Sequence, residues 1–76
     1  MLEDKFIKVK GTKDKYFSYV SLKYLSMIHK IDYNFSDKEY CISIYSSGNV
    51  HLNFDNQEDR DAYFEQLVGL LNVVEI

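Results

Sequence analysis

The sequence predicts an α+β fold: an antiparallel sheet of about five strands, curled toward a barrel or roll, with one C-terminal helix packed on it. Three observations lead there. Apolar residues recur at alternate positions in several short segments before residue 55, the period of a half-buried strand. The stretches between those segments are short, polar and in two cases glycine-bearing, as hairpin connections are. Beyond Asp55 the apolar spacing lengthens to the helical i, i+3, i+4, i+7 pattern. With 76 residues, no proline and no repeated or low-complexity stretch, residues 1–76 read as a single domain.

Taken in order, Phe6-Ile7-Lys8-Val9-Lys10 alternates, with Ile7 and Val9 on one face and Lys8 and Lys10 on the other, predicting a strand over about residues 5–10. Gly11-Thr12-Lys13-Asp14-Lys15 is a polar loop, and the aromatic-rich Tyr16-Phe17-Ser18-Tyr19-Val20 completes a hairpin. Ser21-Leu22-Lys23-Tyr24-Leu25 breaks the alternation and forms a corner, with Ser21 capping a single helical turn. From Ser26 to Phe35 the period of two returns. Met27, His29, Ile31, Tyr33 and Phe35 are assigned to the inner face, and Ile28 is the exception among the outward residues. After the polar turn Ser36-Asp37-Lys38-Glu39, the set Tyr40, Ile42, Ile44 alternates with Cys41, Ser43 and Tyr45. Ser46-Ser47-Gly48-Asn49 is a tight turn leading to Val50, Leu52 and Phe54. Asp55-Asn56-Gln57-Glu58 has the pattern of a capping box, with Asp55 as cap, and opens a helix over about residues 56–71. Its apolar stripe is Phe64, Leu67, Val68 and Leu71, joined by Tyr63 and Leu70. Gly69 marks either close packing of the helix backbone or fraying.

The arrangement of a basic strand pair, an apolar corner, a long strand, a glycine-turn hairpin and a capped C-terminal helix resembles the very short FlbD-like bacterial and phage accessory proteins. The stretches that carry the resemblance are residues 17–28, Ile42-Ser43-Ile44-Tyr45-Ser46-Ser47-Gly48-Asn49-Val50 and Gln57-Glu58-Asp59. The resemblance implies a small regulatory or accessory protein without catalysis, and it carries over no functional residue.

Charge divides the chain. Residues 1–30 hold seven lysines against three acids, a net of +4, and residues 31–76 hold two basic side chains against nine acids, a net of −7. No apolar run reaches the roughly 20 residues of a membrane span, and Met1 opens onto Leu2-Glu3-Asp4 without a basic-then-apolar leader. A cytoplasmic protein is the expectation. The single cysteine, Cys41, has no internal disulfide partner.

No constellation points to an enzyme. Cys41, His29 and His51 supply three possible metal ligands, but the strand parities assigned above place His29 on a different face from the others, so neither metal nor cofactor is expected. Cys41 lacks the turn that would present a nucleophile. Glu58, Asp59, Asp61 and Glu65 lie on the polar face of a surface helix, where water keeps carboxylates ionised. There is no glycine-rich phosphate loop.

Two surfaces remain as binding candidates. Seven tyrosines exceed what one small core can satisfy, and tyrosine is favoured at protein interfaces. The first expectation is therefore a non-catalytic interaction or regulatory module. It would be a phage or mobile-element protein occluding a host protein through Glu58, Asp59, Asp61, Glu65, Tyr40 and Tyr45. The alternative is binding of single-stranded RNA or DNA by Lys8, Lys10, Lys13, Lys15, Tyr16 and Tyr19. A self-assembling structural subunit is the third expectation, because Val73-Val74-Glu75-Ile76 is an apolar tail and a fold this small gains from a homo-oligomer.

Overall fold

The computed structural model describes residues 5–33, 39–71 and 73–76. Five strands and one helix follow in the order β1 (Phe6–Val9), β2 (Ser18–Ser21), β3 (Met27–Tyr33), β4 (Glu39–Tyr45), β5 (Asn49–Phe54) and α1 (Gln57–Gly69). The α+β class and the antiparallel pairing are as predicted. The strands do not form one curled sheet: β1 and β2 make a two-stranded ribbon, and β3-β4-β5 make a separate three-stranded sheet. The predicted turn over residues 36–39, apart from Glu39, lies outside the described residues, as do Asn34 and Phe35.

The division into two sheets follows from the corner. Leu22 is buried, Leu25 N–H closes a turn onto the Leu22 carbonyl at 3.4 Å, and Ser26 N–H then bonds the Tyr45 carbonyl at 2.9 Å. The chain leaves the ribbon there and starts beside β4. The ribbon and the sheet are held by side chains instead of a ladder. Val9 and Val20 join Ile42, Ile44, Leu52, Phe54 and Leu67 in one buried cluster, and each such side chain is worth roughly 1.5–3 kcal/mol relative to exposure.

β3 runs with the opposite parity to the one predicted. Ile28 pairs with Ile44, and it packs against the core. Met27 and His29 are exposed. Two features make this possible. The neighbouring strand commits Ile42 and Ile44 to the core, which sets the face of any residue paired with them. Lys30, on that same inner face, sits at the sheet edge with its ammonium 5.3 Å from the Phe64 ring centre and 3.8 Å from Asp61, so its stem covers apolar surface while its charge stays wet.

The helix begins one residue later than the predicted capping box. Asn56, extended at φ −150°, is the cap: its Oδ1 accepts from Asp59 N–H at 2.8 Å, and its Nδ2 donates to Asp59 Oδ2 at 3.1 Å. Leu67 is buried, and Tyr63 and Phe64 pack on the core. Leu70 faces solvent. Arg60 is buried; it donates to the Ile31 carbonyl on β3 at 3.0 Å and to Asp61 Oδ1 at 2.7 Å. Gly69 does not mark close packing, for a Cβ there would meet nothing within 4 Å.

Candidate functional site

Along β1 and β2 the alternation that turns Ile7, Val9 and Val20 inward turns Phe6, Lys8 and Tyr19 outward. Phe6 and Tyr19 are each 64% exposed and Phe17 47%. Phe17 and Tyr19 meet edge to face, with ring centres 5.5 Å apart at 89°. Lys8, paired with Tyr19 across the ribbon, holds its Nζ 3.9 Å from the Phe17 ring centre, a cation–π contact of about 0.5–1 kcal/mol at an exposed site. Tyr16, next to Phe17 in the chain, is exposed. So are Lys5, Lys10, Lys13 and Lys15. Contiguous exposed rings of this kind are uncommon on a small soluble domain and mark contact surfaces.

The ribbon is anchored at its far end by two contacts. Lys10 N–H donates to the Tyr63 hydroxyl at 3.3 Å. The loop after it docks on the edge of β5, where Lys13 N–H bonds the Asn53 carbonyl at 3.0 Å. The orientation of the outer face is thereby set by helix and sheet, and its rings stay on the surface.

A cleft of about 210 Å³ opens where the near end of the ribbon meets the β4–β5 turn. Phe6 and Tyr19 form one wall, and Ser46, Ser47, Gly48 and Asn49 form another. Ser46 Oγ donates to the Ser21 carbonyl at 3.0 Å and ties the two sides together.

Of the residues expected to engage a protein, Glu58, Asp59 and Glu65 are exposed on α1. Asp61 is partly exposed and paired with Arg60 and Lys30, and the Arg60 hydrogen bond holds its carboxyl below the usual carboxylate value. Tyr40 is half-buried with its ring centre 5.6 Å from the Arg60 guanidinium carbon. Tyr45 belongs to the opposite face of the sheet, where it meets His29 edge to face at 5.7 Å. These six residues are therefore split between two faces. Of the lysine and tyrosine set, Lys8 and Tyr19 share the outer face with Phe6 and Phe17, while Lys13, Lys15 and Tyr16 are exposed in the loop leading to β2. Phe6 and Phe17 are the rings of this face outside the expected set, although Phe6 has the same parity as Lys8 and Lys10.

The reversed parity of β3 also changes the histidine geometry. His29, Ser43 and His51 fall in one cross-strand row, and Cys41 lies on the same face. The separation of His29 from Cys41 and His51 expected from the sequence is corrected accordingly. The row is occupied otherwise: the Ser43 hydroxyl bonds the His51 ring at 3.0 Å, and the buried Cys41 thiol donates to Asn53 Oδ1 at 3.3 Å. Among the described residues no group of three histidine, cysteine or carboxylate side chains is placed to hold a metal ion. No helix among them is long and apolar enough to cross a membrane.

Compared with protein-family models, with curated proteins and with solved structures, the chain matches none. What the geometry defines is a small α+β domain with a basic, aromatic outer face on a two-stranded ribbon.

Proposed function

We propose that the protein is a non-catalytic binding module for single-stranded nucleic acid, and that the outer face of β1 and β2 is its working surface. The observation that carries this is Lys8 stacked on Phe17 beside the exposed rings of Phe6 and Tyr19. Unstacked bases need aromatic faces, and the phosphates joining them need cations at the same place. The lysines are concentrated before residue 31 and the acids after it, so the overall charge of −3 does not describe the field at the ribbon.

Fluorescence anisotropy with labelled oligo-dT and oligo-rU at low salt tests it. The expected result is binding that weakens with salt, each phosphate contact contributing about 0.7 to the log–log slope. The double variant Lys8→Glu, Lys10→Glu should bind more weakly and with a slope lower by about 1.4. Absence of binding at low salt, or unchanged binding in the variant, overturns the proposal.

Capture of a basic protein by α1 is a second function favoured by a separate observation, the exposure of Glu58, Asp59 and Glu65 on one helix. Asp59→Lys with Asp61→Lys should abolish such an association, and unchanged affinity of the pair would sink it.

A further inference from the structure

We propose that the cleft between the ribbon and the β4–β5 turn is a pocket for a single nucleobase, turned out of a strand that lies along the outer face. The inference rests on the nucleic-acid function above, yet it concerns different residues. Phe6 and Tyr19 belong both to the aromatic face and to the cleft wall. A strand following the lysines therefore meets the cleft without leaving the surface.

Size and chemistry select the occupant. About 210 Å³ is less than the roughly 300 Å³ at which pockets for drug-sized ligands begin. It suits one planar ring system and excludes a helix or a strand. A nucleobase is apolar on its faces and polar along its edge. The cleft is lined by the aromatic residues Phe6 and Tyr19 and by Ser47 and Asn49, exposed residues whose side chains carry a hydroxyl and an amide. Extruded bases are read in this way, by stacking on one surface and hydrogen bonding along one edge. Ser46 is the brace, since its hydroxyl bonds Ser21 across the cleft.

Gly48 lines the cleft, its φ is not positive and a Cβ there would meet no atom within 4 Å, so a side chain can be introduced at this position to test the cleft without straining the turn. Lys5 and Lys8 flank Phe6, with Lys8 on the same face, and supply the cations for the phosphates on either side of the turned-out nucleotide.

The test is a heteronuclear NMR titration of the whole chain with the four nucleoside 5′-monophosphates, and separately with a short oligo-rU. The expected result is that the amides of Ser46, Ser47, Gly48, Asn49 and Val50 shift with at least one monophosphate and move again with the oligonucleotide. Gly48→Trp should fill the cleft, remove the monophosphate shifts and weaken oligonucleotide binding about five- to tenfold. Asn49→Ala, an exposed change that leaves the turn backbone intact, should reduce the preference among the four bases. If oligo-rU binds and depends on Lys8 and Lys10 while the cleft amides stay still, the pocket is overturned and the binding function stands. If monophosphates shift the cleft amides but no oligonucleotide binds, the cleft takes free nucleotides only, and both the strand-binding function and the turned-out base are overturned. If neither ligand binds, both are overturned.

Discussion

Asp14 holds Asn53 through both carboxylate oxygens. Its Oδ2 accepts the Asn53 backbone N–H at 3.1 Å, and its Oδ1 accepts the Asn53 side-chain amide at 3.0 Å. The residues are 39 apart in the chain, so this clamp joins the ribbon loop to the last strand. Oδ2 also accepts Gly11 N–H at 3.1 Å, which ties the loop to its own start. Removing the carboxylate leaves these donors in a partly buried place without an acceptor, at about 1–3 kcal/mol. Asp14→Ala should lower the urea midpoint with an unchanged m-value, as measured by circular dichroism.

Gly11 and Gly69 should respond in opposite senses to the same substitution. A Cβ on Gly11 would collide with the Asn53 backbone. Gly11→Ala should therefore destabilise the protein by more than 1 kcal/mol, displacing the loop that Asp14 clamps. Gly69 is helical with open space around it, so Gly69→Ala should stabilise by about 0.5–1 kcal/mol. Thermal unfolding of the two variants beside the parent chain checks the pair, and equal effects would contradict it.

The parity of β3 predicts a contrast between adjacent residues. Ile28→Ala removes methyl groups packed on Ile44 and its neighbours and should cost about 1–2 kcal/mol, toward the lower end for a half-buried site. Met27→Ala, at an exposed position, should change stability by no more than about 0.5 kcal/mol. The parity read from the sequence requires the opposite order, so denaturant midpoints decide between them.

Arg60 and Asp61 give a pH-dependent prediction. The carboxyl of Asp61 is held below its ordinary value of 3.8, first by the hydrogen bond from Arg60 and then by the charges of Arg60 and Lys30. A depressed carboxylate contributes stability that is present above its unfolded-state value and is lost as pH falls through its folded-state value. The loss thus belongs to the acid limb below pH 3.8. In Arg60→Met the Asp61 titration, followed by carboxyl carbon chemical shift, should return toward the ordinary value. The Ile31 carbonyl loses its partner as well, so the variant should be less stable by about 1–3 kcal/mol at neutral pH.

Much of the fold was legible because short-range patterns settle it. Ile7 and Val9 against Lys8 and Lys10, the Ser46–Asn49 turn, and the change of period after Asp55 each name an element and its inner face. Met27 to Tyr33 misleads because its own pattern favours the face that the fold does not bury, with Met27, Ile31 and Tyr33 on one side and Ile28 as the single apolar residue on the other. Counting residues favoured Met27, His29 and Ile31, whereas the partner strand favoured Ile28. The helix cap slipped by one residue for a related reason: Asp55 and Asn56 are both able caps, and Asp55 N–H is instead bonded to Thr12 Oγ1 at 2.8 Å.

The sequence by itself determined the α+β class, the five strand segments, the capped helix and the lysine face of the first hairpin, all consequences of periodicities that span a few residues. Tertiary structure alone decided that the strands part into two sheets, that β3 turns Ile28 inward, and that Phe6 and Tyr19 meet the β4–β5 turn across a cleft. Those outcomes depend on contacts between residues distant in the chain. For β3 the buried face is set by the partner strand's buried Ile42 and Ile44 and not by its own pattern, and which loop comes to lie beside the ribbon is likewise fixed by packing between distant segments.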